Sequence, residues 1–230
     1  MKKYYRNHYA EINDLDVNSN SSLEKWFNET KRYYELELSP HLGNVQNKKF
    51  LELGCGIGGF LNFLNSKKEV VYLGVDTSEE QLSVCKQYVT DNVVLADAID
   101  FLKQNESSYD YIILFDFIEH LKKESIVDFV KLLYDNLNIG GKIIVRTPNM
   151  AYLFASYSRY LDFTHEFGFT EESITQVFRE LPFKEIKVIN TLIGRKKLLI
   201  LKILRVVFAR IYNMKLSHIL TPNLLLIAQK

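Results

Sequence analysis

The chain has 230 residues, of which 47% are hydrophobic, 25% are charged and 13% are aromatic, and its net charge is near +1. That length and apolar fraction fit one globular domain with additions and exclude global disorder or a collagen-like repeat. Two cysteines, Cys55 and Cys85, exclude a disulfide framework, and no apolar run reaches the ~18 residues a membrane-spanning helix needs.

The charge is uneven. Nine basic residues and no acidic one lie between Lys187 and Lys230, so the preceding 185 residues carry a net −8. Met1–Arg6 leads into polar residues and not into an apolar core, so a secretory signal is not expected. A reduced, cytoplasmic setting is. The first predicted element is a helix opened by the capping box Ser21-x-x-Glu24 and ending near Ser39-Pro40. Residues 1–44 read as an aromatic helical lid region, with Tyr5 and Tyr9 as candidate acceptor contacts and Trp26, Phe27 and Tyr34 as core. Residues 45–230 read as the main domain.

From Lys49 onward, short apolar runs alternate with helical segments. Strands are expected at Phe50–Leu53, Val70–Val75, Val93–Leu95, Tyr111–Phe115 and Lys142–Val145, then at Val188–Thr191 and Leu224–Ala228. Helices are expected near 58–66, 78–90, 98–104, 123–137 and 171–180. Continuous apolar runs alternating with helices indicate a largely parallel sheet covered on both faces. The predicted fold is therefore α/β: a Rossmann-like three-layer sandwich with a seven-stranded, mainly parallel sheet, an N-terminal helical extension and a helical insertion before the last strand. That insertion, about 195–213, is a basic amphipathic helix. Arg195, Lys202, Arg205 and Arg210 fall within an arc of about 140° on it. Docking on an anionic membrane surface, packing on a partner subunit such as a second copy, and covering an acceptor channel all stay open. Nucleic-acid binding is not expected, because aromatics do not interleave the basic stripe and the body is acidic.

The densest signal is Phe50-Leu-Glu-Leu-Gly-Cys-Gly-Ile-Gly-Gly-Phe-Leu61. A buried strand runs into a glycine loop and then a helix, an arrangement that lets backbone approach a ligand closely. Gly54-x-Gly56-x-x-Gly59 alone also fits a dinucleotide fingerprint. Gly58 and Gly59 have a packing alternative. Asp76 ends the second strand, where a carboxylate accepts from ribose hydroxyls. Glu52 precedes the first glycine by two residues, which suits a cationic ligand better than a pyrophosphate. Cys55 is expected to contribute backbone only.

With these residues in place, the sequence resembles the class I S-adenosylmethionine-dependent methyltransferases over about residues 45–190. Glu52-x-Gly54-x-Gly56-x-Gly58 matches their first motif and Asp76, beside Thr77, their ribose acid. Asp97, in Ala96-Asp97-Ala98, matches the residue at the adenine amino group. Phe115-Asp116-Phe117-Ile118-Glu119-His120 matches an acid–x–x–Glu–His turn found in one subfamily. The resemblance implies S-adenosylmethionine as cofactor and S-adenosylhomocysteine as product. Glu52, Gly54, Cys55, Gly56, Gly58, Asp76, Thr77, Asp97, Ala98, Phe115 and Asp116 would line its site. Asp97 has the alternative of a helix cap, and Asp116 that of a solvated turn charge.

The stretch Thr147-Pro148-Asn149, followed by Asp162-x-Thr164-His165 and Phe169-Thr170, further resembles methyltransferases of bacterial surface-polysaccharide pathways. It implies O-methylation of a sugar or phosphosugar-linked acceptor. Alternatives are a small quinone-type metabolite or a cofactor-binding protein without turnover. His165 and then His120 are the candidate bases, His120 with the alternative of a hydrogen-bonded brace of the loop; Asp162 is a candidate support for the His165 tautomer or, alternatively, a loop cap. Arg146 and Asn149 are candidate acceptor contacts. A metal is not expected, since no close cluster of histidine and acidic ligands stands out beyond Asp162 and His165.

Overall fold

The computed structural model describes residues 15–17, 19–213 and 217–230. Seven strands pair in the order β3-β2-β1-β4-β5-β7-β6, with flanking helices. The strands are β1 Lys49–Leu53, β2 Val71–Asp76, β3 Val93–Leu95, β4 Tyr109–Phe115, β5 Leu137–Pro148, β6 Glu185–Asn190 and β7 Asn223–Gln229. The β1–β2 and β2–β3 pairs are parallel, whereas β7 runs antiparallel to both β5 and β6. The expected Rossmann-like sheet is what forms. The chain divides into two compact units, one up to Ile113 and one from Leu114.

In the first unit, helix α1 spans Asn20–Glu37. Its cap is Ser19, whose hydroxyl accepts from Ser22 N at 3.3 Å, so the helix starts before the expected Ser21 box. Leu23 and Phe27 pack with Ile57 in one buried cluster, and Tyr34 meets Phe60 edge-on at 5.4 Å. Residues 20–42, including the short helix α2 (Ser39–Leu42), are therefore joined to this unit's core. Tyr5 and Tyr9 lie outside the described residues. After β1 the chain forms helix α3 (Gly59–Asn65), and α4 (Glu79–Tyr88) and α5 (Ala98–Gln104) follow β2 and β3. Ser78 caps α4 as its position before Gln81 predicts, accepting from Gln81 N at 3.3 Å.

In the second unit, 3₁₀ turns at Ile118–His120 and Lys123–Ser125 lead to helix α6 (Ile126–Asp135). Strand β5 begins five residues before the expected Lys142. Gly140, at φ +77°, lets the strand kink there without a side-chain clash. Helix α7 (Ala155–Leu161) was not expected. It buries no residue, so no apolar period marks it in the sequence. Helix α8 (Glu171–Arg179) opens with a capping box between Thr170 and Ser173. Helix α9 (Arg195–Tyr212) has no acidic residue and, from Arg195 to Ile211, no buried one. No helix among the described residues is long and apolar enough to cross a membrane.

Candidate active site

The glycine loop belongs wholly to the first unit. Strand β1 is buried from Phe50 to Leu53, which fixes where the loop starts. Gly54, Gly56 and Gly58 all have positive φ, and Gly54 N and Cys55 N both donate to Val75 O, at 2.8 and 3.1 Å. Gly58 is constrained twice. Its φ is +88°, and a Cβ there would lie 2.5 Å from Cys85 Sγ. Gly59 gives way to the Trp26 ring and Thr30 of α1, so its role is helix packing.

Asp76 ties the loop to the turn after β2. Its Oδ2 accepts from Gly56 N and its Oδ1 from Ser78 N, both at 2.8 Å. Each carboxylate oxygen has a second lone pair, so the same group that shapes the loop retains acceptor capacity for vicinal hydroxyls. Burial pushes the Asp76 carboxyl above the ordinary carboxylate range, and the backbone donors of Ser78, Gly56 and Thr77 pull it back. Glu52 is buried in β1, opposite Gly74 in register. Cys55 is buried, and desolvation, then the charges of Glu52 and Asp76, raise its thiol far out of the reactive range. Cys85 is pushed up to about 12, also mainly by burial. Thr77 is exposed and Ala98 buried. Asp97 caps α5, its Oδ1 accepting from Ile99 N at 2.8 Å and Asp100 N at 3.2 Å.

The second unit gathers the polar residues that follow β4 and β5. Asp116 leaves β4 in the left-handed region, at φ +51°, which Asp tolerates better than most side chains. Arg146 of β5 pairs with it, Nη2 to Oδ2 at 2.5 Å, and stacks its guanidinium over Phe115, 4.8 Å from the ring centre. Arg146 thus holds the start of the acidic turn.

Asn149 requires a correction. It is completely buried, with Nδ2 donating to Ile219 O and Thr221 O, both at 3.0 Å, and Oδ1 accepting from Ala151 N at 2.9 Å. An amide so enclosed and engaged is a brace between backbone segments, and it does not reach an acceptor.

His120 and His165 do come together, with ring centres 4.9 Å apart. The backbone brings this about. Glu166 N and Phe167 N donate to Glu119 O at 2.8 and 3.0 Å, and Arg159 donates to the His165 and Glu166 carbonyls. Asp162 acts on His120 through Thr164. The Thr164 hydroxyl donates to Asp162 Oδ1 at 2.6 Å and lies 2.9 Å from His120 Nδ1. Because the carboxylate only accepts, the hydroxyl proton is committed to it, so His120 Nδ1 faces the hydroxyl oxygen as a donor. Asp162 Oδ1 also accepts from Thr164 N at 2.8 Å, which is the loop cap the sequence allowed, and the histidine it reaches through Thr164 is His120 and not His165. Burial, and then the neighbouring His120, lower the His165 pKa, which favours its neutral imidazole.

Glu119 is the residue the sequence underrated. It is completely buried, its Oε2 accepts from Thr147 Oγ1 at 3.0 Å, and burial followed by the Asp116 charge pushes its carboxyl well above the usual range. Glu119, His120 and His165 form a cluster of metal-capable side chains. The expectation that no such cluster exists is overturned, because residues 46 apart in sequence become neighbours through the Glu119–Phe167 backbone bonds.

Comparison with known proteins places the chain. Residues 22–188 match the family model for a methyltransferase domain, which is most of the chain, and the protein belongs to that family. A S-adenosylmethionine-dependent methyltransferase from Archaeoglobus fulgidus superposes with a TM-score of 0.70 over 90% of this chain and 97% of its own, at 24% identity. Protein MJ1123 of Methanocaldococcus jannaschii is 25% identical over 74% of this chain and 80% of its own. The mitochondrial ubiquinone biosynthesis O-methyltransferase of Schizosaccharomyces pombe is 22% identical over 62% of this chain, which spans 57% of that relative. The protein is thus an enzyme of the methyltransferase class, and its cofactor is S-adenosylmethionine. The glycine cradle and the lone pairs left on Asp76 fit that group.

Proposed function

We propose that the enzyme methylates a hydroxyl of a sugar or phosphosugar-linked acceptor in surface-glycan synthesis. The observation that carries this is the Asp162–Thr164–His120 relay beside a neutral His165. A hydroxyl acceptor must lose a proton as it gains the methyl group, and a positioned neutral imidazole is suited to take it. Bound S-adenosylmethionine supplies a sulfonium methyl group for in-line displacement. On this reading Glu52 faces its ammonium, Asp76 takes the ribose hydroxyls with Thr77 alongside, and Asp97 and Ala98 meet the adenine. Gly54, Cys55, Gly56 and Gly58 contribute backbone, and the resemblance adds Phe115 and Asp116 to the cofactor-binding residues. Fixing acceptor and donor in line supplies on the order of 7–11 kcal/mol of the barrier. Arg146 contributes by holding Asp116. Aromatic faces at Phe154, Tyr157, Tyr160 and Phe163, the last 85% exposed, suit the C–H faces of a sugar ring.

The test is turnover against a panel of nucleotide sugars, phosphosugars and phenolic quinone precursors. Sugar methylation is expected, with His165→Ala lowering kcat by about 10²–10⁴-fold. Undiminished turnover in that variant rules out the base role. Methylation of the phenols alone selects the second reading, a quinone-type acceptor, which the named activity of the S. pombe relative favours.

We also infer that α9 rests on an anionic membrane surface, where a lipid-linked glycan would be presented. Supporting this, Leu199, Ile200, Ile203 and Ile211 are exposed on a helix that also carries six basic and no acidic residues. Sedimentation with phosphatidylglycerol vesicles, reduced by Lys202→Glu with Arg210→Glu, is the expected result. Equal sedimentation of the double variant counts against it.

A further inference from the structure

Glu119, His120 and His165 each offer one ligating atom, and these atoms lie within 4.8 Å of one another. Their convergence is built by the backbone, through the two bonds onto Glu119 O and the Arg159 anchor, and does not depend on the rings. One donor in the cluster is unsatisfied. Glu119 Oε2 takes the Thr147 hydroxyl, but the buried Oε1 has no hydrogen-bond partner among the described residues. Burying a carboxylate oxygen without a donor is costly, and a cation is one of the few groups that removes that cost.

We propose that Glu119, His120 and His165 form a binding site for a divalent transition-metal ion of the manganese or zinc kind. The donor set decides the class. Two imidazoles and one carboxylate suit Mn²⁺, Fe²⁺ or Zn²⁺, whereas Mg²⁺ prefers oxygen ligands throughout. Three protein ligands leave coordination positions for water or for an oxygen of the acceptor. The surroundings fit. A metal-binding histidine characteristically donates its other ring N–H to a fixed acceptor, and His120 Nδ1–H does this to Thr164, backed by Asp162. Thr147 orients the carboxylate in the same manner. Metal binding stands on these contacts alone; a role for the ion in holding the acceptor hydroxyl rests on the O-methylation reading above, with His165 then serving as a ligand and not as the base.

The experiment uses the full chain, free of affinity tag and treated with chelator, without cofactor or acceptor. Mn²⁺ binding is followed by the electron paramagnetic resonance of the free ion and Zn²⁺ binding by calorimetry, with Mg²⁺ in parallel. One Mn²⁺ or Zn²⁺ per chain is expected, bound at least about tenfold more weakly by Glu119→Gln and by His165→Asn. Circular dichroism and unchanged affinity for S-adenosylmethionine establish that the variants are folded. Should Glu119→Gln fail to fold, His165→Asn, in a half-exposed loop, decides alone. A wild-type chain that binds neither Mn²⁺ nor Zn²⁺, or variants that bind as the wild type does, would overturn the proposal. The two readings separate cleanly. Metal binding without sugar methylation sinks the acceptor assignment only, and sugar methylation by a chain that binds neither Mn²⁺ nor Zn²⁺ sinks the metal site only.

Discussion

Replacing Asn149 by Ala distinguishes a brace from an acceptor contact. The substitution strips the donors from two carbonyls, Ile219 O and Thr221 O, and the acceptor from Ala151 N, at a position with no solvent access. An unsatisfied buried group costs about 1–3 kcal/mol. Partial relaxation of the three gives a total of about 3–5 kcal/mol. For a chain of this size 1 kcal/mol shifts the midpoint by about 2–4 °C, so Tm should fall by roughly 6–20 °C. The assay is thermal unfolding followed by circular dichroism, alongside KM for the acceptor at a temperature where the variant is folded. Asn149→Asp should be at least as damaging, since it keeps the bond from Ala151 N but sets a carboxylate against two carbonyl oxygens. A Tm within about 2 °C of wild type, together with a raised acceptor KM, would refute the reasoning and return Asn149 to the acceptor site.

Other expectations follow from the same contacts. Gly58→Ala should destabilise the protein by about 2–4 kcal/mol, from its positive φ and the overlap with Cys85 Sγ. Adding Cys85→Ala should recover the steric part only, which urea titration of the single and double variants checks. Because burial raises the Asp76 carboxyl, protonation begins at a higher pH than for an exposed aspartate. Affinity for S-adenosylmethionine should therefore fall on acidification, beginning at a higher pH than an exposed aspartate would give, and calorimetry across a descending pH range would show it. An affinity flat across the range argues against ribose contact by Asp76. Thr164→Val removes the hydroxyl between Asp162 and His120 at nearly constant volume, and turnover should drop by about 10–100-fold with little change in Tm. Unaltered turnover in that variant means the relay does no positioning.

The glycine loop was legible because it is written in backbone constraints. A loop that must adopt positive φ at 54, 56 and 58 shows as glycines, and a buried strand ahead of it shows as Phe50–Leu53. Caps at Ser78, Asp97 and Thr170 are equally local, and for Asp97 the sequence offered the cap as an alternative to the adenine contact. The polar cluster after β4 and β5 depends on contacts distant along the chain. Nothing local marks Asn149 as enclosed, because its partners at 219 and 221 come some 70 positions later. Glu119 sits in a readable motif, yet its closeness to His165 depends on two backbone bonds from the 166–167 segment and on Arg159, whose donors reach carbonyls and carry no side-chain signature. Helix α7 escaped because its aromatic residues point outward and leave no buried face.

The position of β7 has a consequence for how the protein is made. It follows β6 and α9 along the chain, yet in the sheet it fills the gap between β5 and β6, buried from Leu224 to Ala228. During synthesis on the ribosome, β6 therefore emerges without its pairing partner, and the flank of β5 stays uncovered until residues 223–229 arrive. A nascent chain paused within the basic helix would display a row of unpaired backbone groups on β5, an edge prone to capture by other chains. The second unit closes all at once when that strand slots in, so interruptions upstream of it should favour aggregates over partly folded enzyme.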